Sequence, residues 1–331
     1  MKDIAADLGV SLMTVSKALR SHSDISEETR KRVLQRAREL NYQPNWVARS
    51  LVMRKTYLVG LVIPDLMHSF FAEVATGVAR KLVPLGYQIV ISNSDEDAAV
   101  EQRQLELLAA RNVDGLILAS ASANGRKAVL ETLRMREVPF VLIDRMPPGV
   151  TANYVGSRDE EIGQMATEHL IDQGCRRIGH IRGPATPNSH GRLRGYRKAL
   201  AAHGMASPDE YVAGGVRDDA GGYSAMRELL ALENPPDGVF GYNDPVAAGA
   251  IKAVLEAGLR VPQDIAIIGA GNVHYSDLLR VPLSTVDQSS AYIGEAAAGL
   301  LVECMEAKQP PEPKRILVPP RLVVRESSRR R

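Results

Sequence analysis

From Tyr57 onward the chain alternates short, β-rich apolar runs with amphipathic helical stretches, and it does so twice over. The first series has strand candidates at 57–63 (YLVGLVI), 87–92 (YQIVIS), 115–119 (GLILA) and 139–143 (PFVLI). The second has them at 177–182 (RIGHIR), 238–242 (GVFGY) and 265–269 (IAIIG). Helical stretches lie between them, as at 70–83, where Phe71, Val74, Val78 and Leu82 share one stripe. Apolar strands separated by helices predict parallel sheets covered on both faces. Two series predict two similar α/β lobes. Ligands of such sheets lie beyond the carboxyl ends of the strands, so two facing lobes would share a ligand cleft.

Toward the C-terminus, 283–306 (LSTVDQSSAYIGEAAAGLLVECME) contains a long helix rich in small residues. A proline-rich stretch (QPPEPKR) and two short strands (ILVPP, RLVVRES) follow, and 326–331 (ESSRRR) reads as a frayed tail.

Ahead of the lobes stands a different texture. In 2–20 (KDIAADLGVSLMTVSKALR), Ile4, Ala5 and Leu8 fall on one helical face and Gly9 breaks the run. Ser11 suits an N-cap for a second helix in which Val15, Ala18 and Leu19 share a face. Two short helices around such a turn make a helix-turn-helix, whose second helix fits the DNA major groove. Leu12, Met13, Thr14, Ser16 and Lys17 face outward at the start of that helix. Ser26 then caps a third helix with Glu27 and Glu28 in its first turn, and Val33, Leu34, Ala37 and Leu40 form its inner stripe. Tyr42-Gln-Pro44 stops it. In 44–56, Val47, Ala48 and Leu51 lie on one side of a two-turn helix too short to be stable alone. It would form on DNA or against a second copy of itself; a plain linker is the other reading.

The charge divides along the same line. Residues 1–56 carry 11 Lys+Arg against 6 Asp+Glu, a net +5, and the other 275 residues a net −3. A small basic head on a slightly acidic body points to a polyanionic partner. The two cysteines, Cys175 and Cys304, match neither a disulfide framework nor a zinc spacing. No apolar run reaches the roughly 18–20 residues that cross a bilayer. The N-terminus is a polar helix and not a signal peptide, so a cytoplasmic protein is expected.

KDIAADLGVS-x-x-TVSKAL, ISEETRKRVLQRARELNYQPN-x-x-ARSL and GLVIPDL-x-x-x-FFAEV resemble the lactose-repressor family of bacterial transcription regulators. So do VDGLIL, GYNDPVAAGAI, GLRVPQDIAIIG, PLSTVDQ and PPRLVVRESS, in the same order along nearly the whole chain. The resemblance implies a small all-α helix-turn-helix head (1–43), a hinge helix and linker (44–56), and a two-lobed, periplasmic-binding-protein-like core of parallel sheets (57–331). It assigns about 57–156 and 284–316 to one lobe and about 157–283 and 317–327 to the other, with three chain crossings between them. It implies a homodimer, or a tetramer, on double-stranded operator DNA, controlled by a small-molecule effector held between the lobes. No cofactor or metal is implied.

Residue roles carry over by position. Leu12, Met13 and Lys17 match base-reading positions. Lys17 stands where many relatives have arginine and lacks its planar fork. Ser11, Thr14, Ser16, Ser26, Thr29, Tyr42 and Asn45 match phosphate contacts, which orient without specifying sequence. Leu51 matches the hinge leucine that wedges into the minor groove, a core role being its alternative. Around the effector, Phe70 and Phe71 offer stacking faces, though Phe71 also suits the helix core. Arg192 matches a clamp for hydroxyls or carboxylates, and Asn243 a ligand contact; Asp244 is a ligand contact or a helix cap.

Two departures stand out. GAGN at 269–272 replaces a turn that normally supplies a carboxylate, leaving Gly271 in its place with Asn272 or His274 as substitutes. A pocket that loses an anion and keeps an arginine would more readily take an acidic ligand, so a sugar, a sugar acid or a similar metabolite is expected. The chain also begins at Met1-Lys2, earlier than the resemblance leads one to expect, so either phosphate contacts just before the first helix are missing or the start is misplaced.

A plain periplasmic ligand-binding protein would share the two lobes, but it predicts an export signal and no basic head. An enzyme is not expected: there is no Walker loop, no HExxH and no G-x-S-x-G, and the seven histidines are scattered.

Overall fold

The computed structural model describes residues 1–19, 22–42, 55–120, 127–147, 149–309 and 311–330, in two compact units, Met1–Thr56 and Tyr57–Arg331. The expected hinge helix, with Asn45 and Leu51, lies outside the described residues. Among the described residues no helix is long and apolar enough to cross a membrane.

In the first unit, α1 (Lys2–Leu8) ends on Gly9 at φ 62°, a left-handed C-cap that glycine adopts without a Cβ penalty. Ser11 Oγ accepts the Thr14 N–H at 3.0 Å and starts α2 (Leu12–Leu19). Ser26 Oγ accepts the Thr29 N–H at 3.2 Å and starts α3 (Glu27–Glu39), with Glu27 and Glu28 at its positive end. The three helices bury Ile4, Ala5, Val15, Ala18, Val33 and Ala37 together. Leu34 and Leu40, expected in the same stripe, are exposed. Two partner helices this short cover only a narrow strip of α3. Arg36 ties α3 to α1 through Asp7, at 2.7 Å from its Nε.

The second unit holds two six-stranded sheets. One is ordered β11-β5-β4-β3-β1-β2: β1 (Leu58–Ile63), β2 (Gln88–Asn93), β3 (Gly115–Leu118), β4 (Phe140–Ile143), β5 (Tyr154–Ser157) and β11 (Arg315–Val318), all parallel. The other is ordered β12-β10-β9-β8-β6-β7: β6 (Ile178–Arg182), β7 (Val212–Gly214), β8 (Gly238–Gly241), β9 (Ala266–Gly271), β10 (Ser284–Asp287) and β12 (Arg321–Val323), parallel except at β12. The first lobe adds α4 (Ser69–Leu82), α5 (Ala98–Ala110), α6 (Lys127–Met135) and, late in the chain, α11 (Ser290–Glu306). The second adds α7 (Asp159–Asp172), α8 (Pro187–Ala202), α9 (Asp219–Leu230) and α10 (Asp244–Glu256).

The close approach of α4 and α11 depends on glycine. A Cβ on Gly77 would stand 1.9 Å from the Ala291 carbonyl oxygen, and one on Gly294 2.1 Å from that of Val74. This packing joins Val74, Val78 and Leu82 to Ile293, Ala297 and Leu301 in one buried cluster.

Three expectations need correcting. Residues 284–287, placed with the first lobe, form β10 of the second sheet, because Ser284–Asp287 pair with β9 and β12. The chain therefore crosses at 288–289. Leu317 and Val318, placed with the second lobe, belong to β11 beside β5. The terminal segment is no frayed tail. Ser327 and Ser328 are fully buried, and Arg330 donates to the carbonyls of Pro262, Asp237 and Asp264 at 2.6–3.0 Å. Its hydrogen bonds, not apolar contacts, dock it.

Candidate functional site

On the head, Leu12 and Met13 are 46% and 62% exposed at the start of α2, where a major-groove helix presents its reading residues. Ser11 and Thr14 share a hydroxyl hydrogen bond at 2.9 Å, as do Ser26 and Thr29. Ser16 is half-buried. The Lys17 ammonium lies 2.5 Å from Asp24, which also contacts His22. The lysine holds the Asp24 carboxyl below its ordinary value, so the pair stays charged. Tyr42 packs half-buried against the head's apolar core.

In the core, β1 has β2 and β3 as its two neighbours, and β6 has β7 and β8. Each is a switch point at which the chain departs to both sides and leaves a crevice at the carboxyl ends. The segments that follow these strands enclose a cavity of about 40 Å³. From the first lobe come Asp65, His68, Phe70 and Phe71 after β1, Glu96 after β2, and Asp144 and Arg145 after β4. From the second come Pro184, Asn188, Arg192, Arg217, Tyr242 and Asn243, with Gln288 at a crossing.

Phe70 and Phe71 meet edge to face with ring centres 5.1 Å apart, and each also belongs to the first lobe's core. Both rings therefore line the cavity and pack in the core. Arg192 is 2% exposed and donates to Asp159 at 3.1 Å, to the Tyr242 carbonyl at 2.6 Å and to Gln288 at 2.7 Å. Burial pushes the Asp159 carboxyl up to about 6 against the attraction of Arg192. Arg145 engages Glu96 through two bonds of 2.7 and 2.8 Å and lies 3.2 Å from Asp144. Asn243 Oδ1 caps α10 through the Val246 N–H at 2.9 Å, and its Nδ2 faces the cavity.

Among the described residues the lobes touch across the cavity at several places. Asn188 Nδ2 lies 3.3 and 3.4 Å from the Asp144 oxygens, His68 Nε2 3.0 Å from Asn243 Nδ2, and Arg217 4.0 Å from Glu96. Near its rim, the His274 N–H donates to Glu73 on α4 at 3.2 Å.

Three expected contacts do not line the cavity. Asp244 is fully buried and accepts from Val273 N–H, Ser276 and Thr285 at 3.0, 2.7 and 2.5 Å, so its carboxylate ties β9 and β10 to α10. The Asn272 side-chain oxygen accepts from the Arg325 guanidinium at 2.7 Å. His274 is exposed, and its backbone N–H bonds to Glu73 of the first lobe. Gly271 points toward Asp244: a Cβ there would stand 3.5 Å from Asp244 Oδ2. Sequence reasoning missed His68, Glu96, Asp144, Arg145, Asn188, Arg217, Tyr242 and Gln288. The position of His68, immediately before a helix that opens with Ser-Phe-Phe, was the one local signal.

Comparison with known proteins agrees with this architecture. Residues 1–45 match the model of bacterial regulatory proteins of the lacI family, and 167–328 that of a periplasmic binding protein-like domain. The chain is 34% identical over 329 residues to the HTH-type transcriptional repressor PurR of Mannheimia succiniciproducens, covering 99% of this chain and 98% of that protein. Among solved structures, a complex of the transcriptional regulator CelR with cellobiose is 32% identical with a TM-score of 0.76, covering 98% of both chains. The lac repressor dimer bound to operator and the anti-inducer ONPF is 25% identical with a TM-score of 0.86, again over 98% of both. Head, two-lobed core and relatives agree: the chain belongs to the lacI family of bacterial regulatory proteins, and it is a DNA-binding transcriptional regulator, not an enzyme.

Proposed function

We propose that this regulator represses transcription as a cytoplasmic homodimer whose grip on operator DNA is set by a neutral sugar held between the core lobes. The charge balance of the cavity supports this reading. Arg145 is compensated by Glu96 and Asp144, and Arg192 by Asp159. A carboxylate ligand would meet no uncommitted buried cation and would have to displace one of these acids. A polyol offers alternating donors and acceptors to the amides and charged pairs, and an apolar ring face to Phe70, Phe71 and Tyr242. Gly271 lies outside this lining, so the carboxylate missing there does not enter the charge balance of the cavity. The regulator CelR has been solved with cellobiose, which fits the same ligand class.

On the head, Leu12 and Met13 meet thymine methyls, Lys17 reaches a guanine edge by exchanging Asp24 for the base, and Ser11, Thr14, Ser16, Ser26 and Thr29 position the head on phosphates. Tyr42 and Asn45 join the phosphate contacts, and Leu51 wedges into the minor groove. Two heads on neighbouring half-sites multiply the affinity that one small head offers. A cavity of about 40 Å³ holds no sugar ring, so ligand entry requires the lobes or their side chains to part. Their separation is the variable that ligand and operator both bias, and the two effects must be reciprocal.

Genomic footprinting of the purified protein, followed by calorimetric titration with neutral sugars and sugar acids, tests the proposal. The expected result is a discrete set of protected fragments and binding of a neutral sugar that changes operator affinity. Binding confined to sugar acids refutes the ligand class, and absence of any preferred fragment refutes the operator reading.

A further inference from the structure

Two N–H donors converge on the His68 ring in the closed cleft. Its Nδ1 caps α4 by accepting the Phe70 N–H at 3.3 Å, and its Nε2 lies 3.0 Å from Asn243 Nδ2 on the other lobe. The orientation of the Asn243 amide is fixed from both ends. Its Oδ1 accepts the Val246 N–H at 2.9 Å, and its Nδ2 donates to the Arg217 carbonyl at 3.0 Å. Asn243 therefore meets the imidazole as a donor. A neutral imidazole has one acceptor nitrogen and one N–H, whereas an imidazolium has two N–H groups and no acceptor. The neutral ring satisfies one of its two contacts. The charged ring satisfies neither and sets N–H against N–H on both sides.

We propose that closure of the two lobes is proton-linked through His68: the closed cleft admits only the neutral imidazole, so acidification through the histidine range opens it. The proposal rests on the reading of the cleft as an effector site that opens and closes.

Charges of both signs face the ring: Asp144 after β4, Asp65 from its own loop and Glu96 after β2 favour the cation, while Arg192 on α8, Arg145 and Arg217 ahead of α9 oppose it. Burial then decides, and it holds the His68 imidazole below its ordinary value. An open cleft returns the ring to water and to a pKa of about 6.5. The closed form thus binds fewer protons than the open one. Its advantage is complete above that value, and falls by up to about tenfold per pH unit below it, until the closed-state pKa is passed.

The interlobe distance in the full chain, read by pulsed electron resonance, tests this. Spin labels go on Leu107→Cys in the first lobe and Ala202→Cys in the second, in a Cys304→Ser background; Leu107 and Ala202 are exposed and Cys175 is fully buried. Between about pH 8 and about pH 5.5 the ratio of open to closed molecules is expected to rise roughly fivefold or more. His68→Asn retains a capping side chain and removes the titration, so its distances stay the same at both pH values. Asn243→Asp faces the imidazole with an acceptor and inverts the sign, closing the cleft on acidification. An unchanged wild-type distance, an equal shift in His68→Asn, or opening of Asn243→Asp on acidification overturns the proposal. No effector is added, so such a failure leaves the effector reading to stand or fall by its own titrations.

Discussion

The reading face of the head and the lining of the cleft are built in opposite ways. On the reading face the polar groups pair close by in the chain: Ser11 with Thr14 and Ser26 with Thr29 three residues on, Lys17 with Asp24 seven on. In the cleft Arg192 bonds to partners 33, 50 and 96 positions away. A surface made from local pairs keeps its shape whatever the rest of the molecule does, which suits a partner of fixed form such as a duplex. A pocket made from distant segments exists only while those segments are in register. It therefore reports on their arrangement, and that is what a sensor needs.

The largest test of this contrast is Arg192→Ala. It strands the buried Asp159 carboxyl and should lower core stability by about 3–5 kcal/mol, read by urea unfolding, with loss of any effector response. Burial has raised that carboxyl to about 6, so the deficit should be greatest above that pH, where the acid is ionised, and should shrink below it. A loss under about 1 kcal/mol would mean that the cleft does not depend on the distant contacts. Lys17→Ala acts on the other side of the contrast. It should weaken operator binding by about 1–3 kcal/mol in fluorescence anisotropy and flatten the salt dependence, while the unfolding curve of the core stays put. An effector affinity that falls in parallel would erase the distinction between the two regions. The smallest expected effect is that of Ser26→Ala, which removes the α3 cap and about 1 kcal/mol of head stability; it should leave cleft closure untouched in the interlobe distances.

The same contrast governs what could be read in advance. The head followed from periodicity and capping residues, because local rules build it. The seven strand candidates correspond to β1–β4, β6, β8 and β9 for a similar reason: each is a run of apolar residues long enough to register. β5 (YVGS), β7 (VAG) and β10 (STVD) did not stand out. They are short and carry small or polar residues whose burial comes entirely from their neighbours. Polar burial likewise hid the terminal Ser327, Ser328 and Arg330, whose partners are carbonyls and hydroxyls from distant strands. Asn243 and Asp244 show the limit most sharply. Adjacent in sequence and alike in chemistry, they point in different directions: one lines the cavity, while the other is sealed beneath it by Ser276 and Thr285. Sequence favours Asn243 as the ligand contact and offers Asp244 as a contact or a cap, but the cap of α10 is Asn243 itself.

The final pair of strands has a bearing on how the protein is made. β11 completes an edge of one sheet and β12 an edge of the other, and both follow every other strand in chain order. While the ribosomal tunnel still encloses them, both lobes lack a border strand, whereas the three-helix head has long since emerged. During translation the helical head is complete before either sheet, and the emergence of β11 and β12 borders both halves of the core almost together.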